Sequence, residues 1–267
     1  MSRLKLEWFN FTKQEGQDLC LKIPICDVYG KIIDRAFPYI EHIGWRSGTK
    51  GTCFTYIKHI TPDDNERLTN FLSLLQKVRC ITITPHLAPH FGSELDEAYA
   101  LDFNFKQDVY PLAYTEFGTL EHHAKESQNG AAIEELSKRL GEVIQAHPTL
   151  NRAELIAAMP RRPSSSFHLP EELVIRLGHI LKKGTGLNLV KAEHPKLRSL
   201  PMQDKLTTLG EVFSLNESVQ GKRILVIDDL YQSGTTLWSL AKFLKSHGAY
   251  EVYGLTCVKS WSDTDNL

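Results

Sequence analysis

Residues 223–237 constrain the fold more than any other stretch of the chain. Arg223-Ile224-Leu225-Val226-Ile227 is a β-like run apolar enough to be buried on both faces of a sheet. It ends in two adjacent carboxylates, Asp228 and Asp229, followed by a short loop with Gln232, Ser233, Gly234, Thr235 and Thr236. Leu237, Leu240, Ala241 and Leu244 then recur at helical spacing, which predicts a helix over 235–247 with Gly248 as its stop. A doubly buried strand running into a helix calls for a parallel sheet covered by helices on its faces. Ligands of such sheets bind beyond the carboxyl ends of the strands.

The flanking sequence supports the same architecture. Ile133, Leu136, Leu140, Val143 and Ile144 predict an amphipathic helix ended near His147-Pro148. Leu155–Met159 reads as a short strand, Glu171–Lys183 as a helix stopped at Gly184, Leu187–Val190 as a strand, and Val252–Val258 as a closing strand. A polar stretch with two prolines spans 193–216. The first part of the chain has a different texture. Cys20–Cys26, Cys53–Ile60 and Cys80–Thr84 are β-like runs, and a helix is expected from Asp63 or Asp64 to Lys77. The expected organisation is therefore a small α+β domain over 1–108 and an α/β domain over 109–267.

Composition excludes several classes. With 31 basic and 32 acidic residues the net charge is −1, so the charge balance gives no support to nucleic-acid binding. Arg46, Lys50 and Lys58 are too sparse a cluster to alter that. No apolar run reaches the roughly 18–20 residues of a membrane span, and the first residues lack an apolar signal core. Five scattered cysteines fit a reducing compartment, so a cytoplasmic location is expected. Cys20, Cys26, Cys53 and Cys80 read as small buried hydrophobes. His86 and His90 near Cys80 are the only metal-like spacing. Trp8, Phe9, Phe11, Trp45, Phe54 and Tyr56 read as core of the first half, or as a surface through which residues 1–108 meet a protein partner or a second copy.

The loop after Asp229 has the makings of an anion cradle. Amides at a helix N-terminus favour negative charge, the hydroxyls of Ser233, Thr235 and Thr236 add donors, and Gly234 permits close approach of the backbone. The neighbouring carboxylates suit the vicinal hydroxyls of a sugar, or a metal. Phosphate on one side and a diol on the other describe a ribose 5-phosphate. Two rival readings fail. A Walker B strand needs a G-x-x-x-x-G-K-[ST] partner, which the chain lacks. A receiver domain needs a further acceptor Asp and a Lys well downstream, for which too little sequence remains.

Residues 224–237 resemble the phosphoribosyl-pyrophosphate (PRPP) motif of type I phosphoribosyltransferases. Weaker pieces resemble the ComF-like branch: Tyr114–Lys125, Ala157–Pro163, Ser165–Leu173 and Leu197–Gln203. The resemblance covers about 109–260 and implies the type I α/β fold. It implies that Asp228 and Asp229 hold the ribose hydroxyls and that Gln232, Ser233, Gly234, Thr235 and Thr236 bind the 5-phosphate. It places pyrophosphate at Met159, Arg161 and Arg162, with Mg²⁺ bridging pyrophosphate and ribose oxygens. The implied activity is transfer of ribose 5-phosphate to an acceptor. The alternative is a non-catalytic PRPP- or nucleotide-binding module in regulation, bacterial competence or antiphage defence. The chain departs from the branch in three places: it has no C-x-x-C pair, Ser165–Leu169 replaces a segment rich in Arg, Gly, Phe, Asn and Gln, and the Arg-Asn pair expected after Gln203 is missing. His168 and the pair His122-His123 read as polar loop and helix-face residues.

Overall fold

The computed structural model describes residues 5–13, 18–83, 92–106, 109–161, 163, 166–193, 200–210 and 212–261. Arg162, the pair His86 and His90, and Lys196 and Arg198 of the 193–216 stretch lie outside these. The chain divides into two compact units, 1–79 with 142–151, and 80–141 with 152–267.

The first unit carries an antiparallel sheet in the order β1 (Asn10–Lys13), β2 (Leu19–Pro24), β4 (Thr52–Ile57), β3 (Arg46–Ser47). Its strands alternate, with Cys53, Thr55 and Ile57 inward on β4. Helix α1 (Cys26–Ala36) was not expected from sequence. Its Gly30 is one of the residues that hides it: the Trp45 indole lies 3.0 Å from where a Cβ would sit, and that ring donates to Asp34 at 2.8 Å. Helix α2 (Pro62–Lys77) matches its expected span. Thr61 caps it by accepting from the Asp64 N–H, and Leu68, Phe71, Leu72 and Leu75 are buried. The end of the long helix α4 (Gly130–Ala146) belongs to this unit too, with Lys77 and Glu142 4.0 Å apart and His147 edge-on to Phe71. Cys20 and Cys80 are buried free thiols, as expected; Cys53 differs, being disulfide-bonded.

The second unit is built on a five-stranded sheet in the order β5 (Ile81–Thr82), β6 (Glu97–Phe103), β11 (Glu251–Lys259), β10 (Arg223–Tyr231), β7 (Leu155–Ala158). All pairings are parallel except β5 with β6. This is the expected α/β class. Strands β5 and β6, whose texture grouped them with the first half, pair in this sheet instead. Around it lie α3 (Glu116–Glu126), most of α4 (Gly130–Ala146), α5 (Leu169–Leu181), α6 (Met202–Leu209) and α7 (Thr235–Ser246). Helix α5 stops two residues earlier than its glycine suggested, capped by Lys182, which takes a left-handed φ of 53°. The 193–216 stretch holds α6 and β9 (Phe213–Leu215), which pairs with β8 (Leu189–Lys191) as a separate antiparallel ribbon. Ile224 and Val226 of β10 pack with Ala98, Trp238, Leu240 and Leu244 in one continuous core. No described helix is long and apolar enough to cross a membrane.

Candidate functional site

Strand β10 carries its acids past the end of its neighbour. Ile224–Ile227 pair with Leu155–Ala158 of β7, and Asp228 and Asp229 follow where β7 has stopped. The four apolar residues are fully buried, while both acids are half-buried. Backbone N–H groups fix the carboxylates: Asp229 N–H donates to Asp228 Oδ1 at 3.0 Å, and Leu230 N–H to Asp229 Oδ1 at 2.7 Å. The acids thus sit at the carboxyl end of a parallel strand, the usual ligand position for such sheets.

The loop that follows is tightly built. Gly234, with φ 74°, caps α7 at its N-terminus, and its carbonyl accepts the Trp238 N–H at 3.0 Å. Ser233 Oγ and Thr235 Oγ1 are 2.6 Å apart, and Thr235 is buried. The two hydroxyls therefore brace the loop against itself. Gly234 also has a role beyond ligand approach. A Cβ there would lie 2.1 Å from the Tyr231 Oη and 2.3 Å from its Cζ. Tyr231 is buried beneath the loop, its carbonyl accepting from the Ser260 N–H at 2.8 Å. Gln232 and Thr236 are half-buried at the loop's margins. The first N–H groups of α7 have no intrahelical partner and give this end its positive dipole.

Met159 follows β7 and donates its N–H to the Ile227 carbonyl at 2.8 Å, which sets it beside the residue preceding Asp228. Its side chain packs in the core. Arg161 is about half exposed, with Nε 3.7 Å from Glu171 Oε1. His168, at the start of α5, keeps its Nδ1 3.6 Å from the same oxygen. Burial holds the His168 imidazole below its ordinary range, with Glu171 and Asp229 acting against that.

Three charged residues that sequence reasoning did not assign to the site complete its surroundings. Lys125 of α3 bridges Asp229 Oδ2 at 2.6 Å and approaches Glu121 Oε1 at 3.7 Å. Lys191 of β8 is buried and acts on Asp228 electrostatically. Burial pushes the Glu121 carboxyl up to about 7, with Lys125 opposing the rise. Burial and then the adjacent Asp229 carboxylate raise Asp228 well above the carboxylate range. Burial pulls the Lys125 ammonium down, but Asp229, Glu121 and Asp228 together outweigh it and hold it above its usual value. The Glu121–Lys125 pair has i,i+4 spacing in the favoured orientation, the one signal that was legible beforehand. Among the described residues no three His, Cys, Asp or Glu side chains form a metal cluster.

No family model matches the chain, and no curated protein matches it. Solved structures do. A hypoxanthine phosphoribosyltransferase from Staphylococcus aureus is 20% identical over 49% of this chain and 67% of that one, with a TM-score of 0.32. A hypoxanthine-guanine phosphoribosyltransferase from L. donovani is 16% identical over 47% and 68%, at 0.31. A purine phosphoribosyltransferase from Pyrococcus horikoshii is 16% identical over 52% and 86%, also at 0.31. Similarity at this level bears on neither substrate nor activity.

Proposed function

We propose that the second unit binds PRPP, or another ligand bearing ribose 5-phosphate, and transfers its phosphoribosyl group to an acceptor nucleophile. The observation that supports this reading is the corner between β10 and α7. Two carboxylates stand beyond the end of β7, and only Leu230 and Tyr231 of the same strand separate them from a glycine- and hydroxyl-bearing loop that opens a helix. The acids accept from the 2- and 3-hydroxyls of a ribose. The loop and helix end receive its 5-phosphate. Pyrophosphate is assigned to the loop after β7, where Arg161 offers a partly exposed guanidinium; the N–H of Met159 is taken by the Ile227 carbonyl, so that residue only anchors the loop.

The donor set suits Mg²⁺ that arrives with the ligand's phosphates rather than a resident ion. Asp228 and Asp229 are hard oxygen donors, yet two carboxylates, one already bridged by Lys125, do not make an all-protein cage. When bound, Mg²⁺ would neutralise the pyrophosphate leaving group. The chain's own residues do the rest. The acids fix the ribose so that C1 faces the acceptor, and the negative charge of Asp229 favours the oxocarbenium-like state as the C1–oxygen bond breaks. The ribbon β8–β9 with α6 is assigned to excluding water from that state. ComF-like membership and a place in competence or antiviral defence are expectations that rest on the sequence resemblance alone, and a cytoplasmic setting is one that rests on the scattered cysteines.

The test is pyrophosphate release from PRPP and Mg²⁺ across a panel of bases and amines. Release with at least one acceptor supports the transferase. Saturable PRPP binding without release from any acceptor moves the assignment to a ligand-binding module.

A further inference from the structure

We propose that Lys125 is a positioning residue that sets the Asp229 carboxylate for the ribose hydroxyls, with Glu121 holding Lys125 in place. This rests on the ribose 5-phosphate reading given above. Asp229 has both oxygens engaged. Oδ1 accepts the Leu230 N–H at 2.7 Å, and Oδ2 receives the Lys125 ammonium at 2.6 Å. One restraint comes from the acid's own strand and the other from a separate helix, so together they fix the plane of the carboxylate. Each oxygen retains a further lone pair for a ligand hydroxyl.

The helix that brings Lys125 is itself bolted to the sheet. Thr115 caps α3 by accepting from the Gly118 N–H at 3.0 Å, and its hydroxyl donates to the carbonyl of Phe103, the last residue of β6. Gly118 lies so close to Asn104 that a Cβ would sit 1.9 Å from that carbonyl oxygen. Strands β6 and β10 both pair with β11, so the position of Lys125 relative to Asp229 is set by the sheet. Glu121, one turn back on α3, is buried and braces the ammonium from its other side. The rival role for Lys125 is to reach a ligand phosphate directly. The geometry favours positioning, because the ammonium already sits between two carboxylates.

Two probes separate these roles. Ribose 5-phosphate carries the diol, while inorganic pyrophosphate does not. Lys125→Met keeps the length of the side chain and removes its charge. Calorimetry on the full chain should show ribose 5-phosphate binding weakened about tenfold in this variant, with pyrophosphate affinity unchanged. Lys125→Arg should recover part of the loss, and Glu121→Gln should give a smaller one. Placed on Asp229→Asn, Lys125→Met should add less than twofold, since it acts through that carboxylate. Unchanged ribose 5-phosphate affinity in Lys125→Met overturns the proposal, as does an equal loss for pyrophosphate. A wild-type chain that does not bind ribose 5-phosphate removes the ligand reading, and this proposal with it.

Discussion

Gly234→Ala tests whether the loop after Asp229 is a built element or a pliable one. The substitution meets two obstacles. Its φ of 74° is left-handed, a conformation that costs an L side chain about 1–2 kcal/mol. The new Cβ would also stand 2.1–2.5 Å from three atoms of the buried Tyr231 ring. That ring is covered from above by the loop and below by the core, so overpacking adds about 1–3 kcal/mol. The expected loss is roughly 2–5 kcal/mol for a single methyl group, measured by urea denaturation of the full chain. Tyr231→Ala should be destabilising alone, because it leaves a cavity. Combined with Gly234→Ala, however, it removes the collision and leaves only the backbone strain. The double variant should therefore lose about 1–3 kcal/mol less than the two single losses added together. Wild-type stability in Gly234→Ala would refute this account, and so would strict additivity. The result also governs how site variants are chosen: a bulky residue at Gly234 perturbs the fold before it reports on phosphate.

Three further outcomes are expected. Burial holds the His147 imidazole down at about 3, below its ordinary 6.5. The unfolded chain binds that proton more readily, so stability from this group is complete above pH 6.5 and is lost as the pH falls toward 3. The full loss is on the order of 5 kcal/mol, and His147→Gln should flatten the acid limb of a stability–pH curve; an unchanged slope removes His147 as its source. Gly118→Ala should destabilise by about 1–3 kcal/mol through collision with the Asn104 carbonyl, although alanine ordinarily stabilises a helix interior; a more stable variant would show that α3 is not held against β6. Hydrogen exchange across 200–216 should slow when PRPP and Mg²⁺ are added, and unaltered exchange would detach α6 and β9 from the ligand.

The corner that carries the candidate site was legible because its signals are local. An apolar run, two acids, a glycine and a helical repeat follow one another between Ile224 and Leu244, and each structural element follows from its own stretch. The glycine reads in sequence only as a point of close backbone approach; its left-handed φ and its packing on Tyr231 depend on how the loop folds back over the strand end. Helix α1 carries little local signal because Val28, Tyr29, Ile32 and Ile33 are residues common in strands, and because its Gly30 is explained only by the Trp45 indole packed against it. Strand β6 has no expectation of its own in the sequence, and its place in the sheet comes from pairing with β11, a segment far away along the chain. The bridge from Lys125 to Asp229 was hidden for the same reason. Sequence spacing links Lys125 to Glu121, but only the strand order of the sheet brings it to Asp229.

In the proposed function, Asp228 and Asp229 receive the ribose of a phosphoribosyl ligand. Calorimetric titration of PRPP with Mg²⁺ into the wild-type chain and into Asp228→Asn/Asp229→Asn tests it most directly. The substitutions keep side-chain volume and remove charge, so melting should change little while PRPP affinity falls by at least about tenfold. Equal affinity in the two proteins, or no saturable binding to the wild type, would contradict the claim.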